Sequence, residues 1–123
     1  MGRKHILLVE DDQPLRQVYR TALALSGFDV DTAEDGLTAL VKIAEEAPDL
    51  IVLDLQLPRL DGRAVLDEVR ADGDTAAIPI VVVTGSDADC AFDHVTVLRK
   101  PCEPEALVAT VTRQVDEVAV NRH

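Results

Sequence analysis

A chain of 123 residues, 47% of them apolar, is one domain's worth of sequence and can bury a single core. Its formal net charge of -11 sets it against phosphate backbones and anionic membranes, and 2% aromatics with no Trp give no platform for stacking bases, which argues against direct nucleic-acid binding. No apolar run reaches the roughly 18 residues needed to cross a bilayer, and Met1-Gly2-Arg3-Lys4 leads into a strand instead of a signal-peptide core, so the expected location is the cytoplasm.

Ile6-Leu7-Leu8-Val9 is an uninterrupted aliphatic run closed by Glu10, Asp11 and Asp12, the pattern of a strand buried on both faces that ends in carboxylates. Pro14 suits the first turn of a helix, with Leu15, Val18, Tyr19 and Ala22 at helical spacing and Gly27 to stop it. Phe28 to Thr32 alternates apolar and polar, as a half-exposed edge strand does. Leu37, Leu40, Val41 and Ala44 predict a second helix ending before Pro48.

Leu50-Ile51-Val52-Leu53 is an unbroken run of branched apolar residues that ends abruptly in Asp54. The loop Leu55 to Gly62 follows, with Pro58 and an Asp61-Gly62 turn signal, and then a third helix through Val65, Leu66 and Val69. Ile80 to Val83 is another buried strand, entered from Pro79 and ending in Thr84, Gly85 and Ser86. Val95 to Arg99 is the fifth strand, ending in Lys100-Pro101, and Pro104 opens a last helix through Val108, Val111, Val115 and Val118. Only Gly85 to His94 separate Thr84 from the fifth strand, whereas a parallel crossover usually takes a dozen or more residues, so a fourth helix there is expected to be short or missing. Cys90 and Cys102 lack metal-ligand spacing and read as buried or half-buried thiols.

Strands alternating with helices predict an α/β fold, a doubly wound sheet of five strands with helices on both faces, in one domain over residues 1–123. Ligands bind such sheets at the carboxyl ends of the strands. That edge would gather Glu10, Asp11, Asp12, Asp54, Thr84 and Lys100. Clustered carboxylates repel one another unless a cation sits among them, and oxygen ligands without His or Cys suit Mg²⁺. A divalent metal and a lysine can neutralise phosphoryl oxygens while a nearby carboxylate attacks phosphorus.

In this order of motifs the chain resembles the receiver domains of two-component response regulators, the CheY-like family. The resemblance rests on Val9-Glu10-Asp11, on Asp54 with Leu57-Pro58 and Asp61-Gly62, on Thr84, and on Lys100-Pro101. It implies a flavodoxin-like strand order 2-1-3-4-5, and phosphorylation of Asp54 by a histidine kinase or His-phosphotransfer protein. It further implies Mg²⁺ held by Asp11, Asp54 and the Gln56 backbone carbonyl, and by Glu10 through water. Thr84 and Lys100 would contact the phosphoryl group, and the Lys100-Pro101 bond would be cis. Asp12 lies outside the matched pair and is expected to cap a helix.

Three residues depart from the family pattern, Glu10 only mildly, since Asp is more frequent there and both are carboxylates. Val97 stands where receivers usually carry a Tyr or Phe that moves with the threonine, and Gly85 stands where Ala is more common. An unswitched receiver-like interaction module is the alternative that Val97 favours. A phosphatase with a nucleophilic Asp, of the haloacid-dehalogenase kind, would need a second Asp where Gln56 stands, and a substrate cap. No effector domain is expected within the chain, so output would pass by contact with a downstream effector protein. A homodimer is left open.

Overall fold

The computed structural model describes residues 2–85 and 95–121, with side chains described through residue 117. Five parallel strands run β1 His5–Val9, β2 Asp29–Ala33, β3 Leu50–Leu53, β4 Ile80–Thr84 and β5 Val95–Arg99, in sheet order β2-β1-β3-β4-β5. Among the described residues the helices are α1 Gln13–Leu25, α2 Gly36–Glu45, α3 Gly62–Ala71 and α4 Pro104–Asn121. The anticipated order and the doubly wound arrangement are therefore present. The short or missing helix between the fourth and fifth strands falls on residues 86–94, outside the described residues, as does Cys90.

The pleat explains why β1 and β3 read as unbroken apolar runs. Successive side chains leave a strand on opposite faces. Leu7, Val9, Ile51 and Leu53 join Ile43, Val65, Leu66 and Val69 in one core cluster beneath α2 and α3. Ile6, Leu8, Leu50 and Val52 join Tyr19, Leu23, Leu107 and Val111 in the other, beneath α1 and α4. Each fully buried aliphatic side chain contributes about 1.5–3 kcal/mol, so neither face tolerates a one-residue slip of register.

The starts of α1, α2 and α3 are fixed by carboxylates. Asp12 accepts from Leu15 N at 3.4 Å and caps α1, as expected of it. Asp35 caps α2 through Thr38 N at 2.7 Å, and Asp61 caps α3 through Ala64 N at 3.0 Å. Such caps contribute about 1 kcal/mol each.

Helix faces were less legible. Val18, included in the α1 stripe, is 49% exposed, and the buried face is carried by Tyr19 and Leu23. On α2, Leu37 is 42% and Val41 58% exposed, and Ala44 is exposed too, while Gly36, Ala39 and Ile43 are buried. The reason is a close approach: a Cβ on Gly36 would lie 1.9 Å from the Leu60 carbonyl oxygen, so α2 turns its smallest residues inward to meet the β3–α3 loop. Arg59 in that loop has φ 68, a left-handed conformation that disfavours a side chain, and its guanidinium reaches Asp35 at 3.3 Å.

The packing of Gly36 gives a direct test. Gly36→Ala is expected to lower the unfolding free energy by about 2 kcal/mol or more, the range for overpacking against backbone, read as a fall in the urea midpoint with unchanged slope. Gly73→Ala, where an added Cβ meets nothing within 4 Å, should stay within about 0.5 kcal/mol of the parent. Equal stability of the two variants would refute the close-approach account.

Candidate functional site

The acids and the lysine reach one edge because each extends the sheet ladder by one residue. Glu10 N donates to Ala33 O at 3.0 Å, Asp54 N to Val9 O at 3.1 Å, and Lys100 N to Thr84 O at 3.0 Å. Side chains at the ends of β1 and β3 are thereby set by the register of the core and not by flexible loops. Gly62 lets the β3–α3 loop close over this edge: a Cβ there would lie 2.3 Å from the Asp54 carbonyl oxygen.

Glu10 and Asp54 are buried, at 2% and 4% exposure, while Asp11 is exposed. One carboxylate oxygen from each of the three lies within 4.8 Å of the others. Lys100 Nζ donates to Glu10 Oε1 at 2.8 Å and to Asp54 Oδ2 at 3.0 Å. The remaining oxygens are held by backbone: Asp54 Oδ1 accepts from Gln56 N at 3.0 Å, and Glu10 Oε2 accepts from Asp12 N at 3.1 Å. Thr84 is fully buried at the end of β4, and the Lys100-Pro101 bond is cis.

Burial pushes the Glu10 carboxyl above its ordinary range, an effect only partly offset by its hydrogen bond to Lys100. Burial works against the Lys100 charge as well, but the hydrogen bonds and attraction from Glu10 and Asp54 outweigh it and raise the ammonium's pKa. The lysine is thus firmly protonated. One ammonium faces three carboxylates, so the cluster remains net negative. That excess, with all-oxygen donors and no His or Cys among them, fits a hard divalent cation.

The structure brings together Glu10, Asp11, Asp54 and Lys100, with Thr84 one strand away and Gln56 tied to Asp54 through its amide. Three further residues frame the site that the sequence did not single out. Arg16 Nη1 donates to Glu10 O at 2.8 Å and to Asp11 O at 3.4 Å, bracing the acidic turn from α1. Tyr19 Oη donates to Cys102 O at 2.8 Å. Arg59 holds Asp35, which fixes the far end of the β3–α3 loop. Arg16 carried one readable signal, a cation four residues after the acids on a helix that starts at them. The Tyr19 contact spans 83 residues and had none. Val97 is half-buried and packs against the core cluster under α2 and α3, and Cys102 is a half-buried thiol whose pKa burial raises.

A family model described as the response regulator receiver domain matches residues 6–112. The chain is 35% identical over 132 aligned residues to the probable transcriptional regulator ycf27 of Porphyridium aerugineum, covering 100% of this chain and 54% of that protein. It is 43% identical over 83 residues to the response regulator MprA of Mycobacterium avium, covering 68% of this chain and 36% of that one. The chain spans about half the length of the ycf27 relatives it matches. Among solved structures, the chemotaxis response regulator CheY4 of Vibrio cholerae superposes with a TM-score of 0.83 at 29% identity, covering 91% of this chain and 98% of that one. The receiver domain of a signal transduction histidine kinase from Syntrophus aciditrophicus does so with 0.85 at 27% identity, covering 94% and 92%. With the sheet order, the acidic edge and the bridging lysine already in place, these matches make the chain a member of the response regulator receiver domain family of two-component signalling.

Proposed function

We propose that Asp54 accepts a phosphoryl group from a phosphohistidine on a histidine kinase or His-phosphotransfer protein, and that a downstream effector protein reads the acyl phosphate. The observation that most supports this is Lys100, whose ammonium stands 3.0 Å from Asp54 Oδ2 in a buried, net-negative cluster. In the proposed step a carboxylate oxygen of Asp54 forms the bond to phosphorus as the phosphorus–nitrogen bond breaks. The released ring nitrogen keeps the electron pair, and the imidazole leaves neutral with the proton already on its other nitrogen. Lys100 offers its charge to the incoming phosphoryl oxygens, and the Thr84 hydroxyl is assigned as a donor to them.

Glu10, Asp11, Asp54 and the Gln56 carbonyl are the residues we assign to Mg²⁺. When bound, Mg²⁺ supplies positive charge that neutralises the phosphoryl oxygens. A single transfer leaves the chain itself modified, so we class it as a phosphoacceptor that assists its own chemistry, not as a turnover enzyme. Its reading as a cytoplasmic module follows from the same partners, since histidine kinases draw the phosphoryl group from ATP. The ycf27 relatives are named probable transcriptional regulators, whereas direct nucleic-acid contact by this unit is opposed by its charge of -11.

Three outcomes test this reading. Intact mass after incubation with acetyl phosphate should rise by one phosphoryl group, and the gain should vanish without Mg²⁺ and in Asp54→Asn; a gain in Asp54→Asn would place the acceptor elsewhere. Gly85→Ala should lengthen the acyl-phosphate lifetime several-fold, on the order of the shielding one methyl gives against water. The added Cβ would make only ordinary contact, 3.8 Å from the Lys100 Cβ, so a shorter lifetime would count against Gly85 as a water entry. Because Glu10 is held above the ordinary value of 4.5, protons compete with Mg²⁺ from a higher pH than usual. Calorimetric Mg²⁺ affinity should therefore weaken as pH falls, beginning above 4.5. Affinity that stays flat down to that value would remove Glu10 from the proposed set.

A further inference from the structure

We propose that Tyr19 is a positioning residue for Lys100, its hydroxyl fixing the Lys100-Pro101-Cys102 segment so that the ammonium stands between Glu10 and Asp54. This rests on the reading of Asp54 as phosphoacceptor and adds to it a determinant on α1.

Tyr19 is 1% exposed, with its ring in the core cluster between α1, the sheet and α4. Its hydroxyl donates to the Cys102 carbonyl oxygen at 2.8 Å. That carbonyl lies two residues beyond Lys100, on the connection from β5 to α4. On its strand side the same segment is tied by Lys100 N to Thr84 O at 3.0 Å. Lys100 is therefore bracketed: one backbone hydrogen bond holds it to β4, and one side-chain hydrogen bond holds the residues after it to α1. A lysine has a flexible stem of four carbons and about 2 kcal/mol of rotamer entropy to lose. Holding its backbone still is the means by which a distant residue can favour the two contacts at 2.8 and 3.0 Å.

The hydroxyl suits the task. Burial raises its pKa to about 12, so it remains a donor throughout the working range of pH. Arg16, one turn earlier on α1, holds the Glu10 and Asp11 carbonyls. One helix thus grips both sides of the site, the acids through Arg16 and the lysine segment through Tyr19.

The experiment compares the full chain with its Tyr19→Phe variant, which keeps the ring in the core and removes the hydroxyl alone. The chain has three lysines, Lys4, Lys42 and Lys100. Their rates of modification by a limiting amine-reactive ester, mapped by mass spectrometry at one pH, report the position of Lys100 without any phosphorylation. Lys100 should react about three- to tenfold faster in Tyr19→Phe, the range of one net hydrogen bond, while Lys4 and Lys42 keep their rates. Phosphorylation by acetyl phosphate should slow by a similar factor, with Mg²⁺ affinity within about twofold of the parent. A general loosening of the fold would raise Lys42 together with Lys100, and that result overturns the proposal, as does an unchanged Lys100 rate. If the parent takes up no phosphoryl group at all, the phosphoacceptor reading falls, while the labelling rates still decide whether Tyr19 positions Lys100.

Discussion

One ammonium shared by two buried carboxylates is the interaction on which this edge of the molecule depends. Lys100 meets Glu10 across 90 residues of sequence and Asp54 across 46, so the contact exists only if three strands end level. Taking a carboxylate out of water costs several kcal/mol unless it is paired and hydrogen-bonded, and stranding one member of such a pair costs about 3–5 kcal/mol. Both acids meet the condition, each with Lys100 on one oxygen and a backbone amide on the other. The arrangement is still short of positive charge, one ammonium facing three carboxylates, and burial holds the Glu10 carboxyl above its ordinary range. The fold thus keeps a site that is stable enough to form yet favours a further cation.

Precision at this edge comes from the core. Glu10, Asp54 and Lys100 each continue a strand pairing by one residue, so the facing oxygens inherit the register set by Ile6 to Val9, Leu50 to Leu53 and Ile80 to Val83. The loops that follow are pressed against the sheet by contacts that admit no side chain, Gly62 over the Asp54 carbonyl and Gly36 under Leu60. The acidic junctions also start helices, with Asp12 beginning α1 beside Glu10 and Asp11. Local caps, ladder hydrogen bonds and glycine contacts all specify the same positions, which is how a small aliphatic core supports a buried charged cluster.

The strands, their ends and the chemistry of those ends were legible because each depends on local sequence: an apolar run, a carboxylate at its end, a turn signal after it. The cap at Asp12 was legible for the same reason. Helix orientation was not. Leu37 and Val41 are apolar by composition but face outward, because the partner that fixes α2 is the backbone of Leu60, and no periodicity encodes a backbone contact. Arg59 offered no turn signal, since its positive φ is imposed by the loop that Asp35 and Gly62 close at either end. Tyr19 looked like one more residue of a helical stripe; that its hydroxyl also reaches Cys102 depends on how α1 and α4 pack on one face of the sheet.

Val97 stands where receivers usually carry an aromatic ring, so the proposed phosphoryl signal would be carried by charge and by the residues that hold Lys100 instead of by a ring at that position. On the proposed reading, Asp54 exchanges a carboxylate charge of about one unit for an acyl phosphate of up to about two. Against a net charge of -11, an increment of one unit leaves the long-range field almost unchanged. Screening confines it further, to about 8 Å at physiological ionic strength. Within that radius of Asp54 lie the Glu10 and Asp11 carboxylates, the Gln56 amide and the Lys100 ammonium, to which the turn braced by Arg16 and the segment tied to Tyr19 are joined. The new anion competes with Glu10 for a single ammonium, and whichever prevails, the change passes into backbone that α1 holds from both sides. On that reading a partner sensing this increment touches the carboxyl edge of the sheet or an element packed directly upon it, and α1 contacts both the backbone of the acids, through Arg16, and the backbone two residues beyond the lysine, through Tyr19.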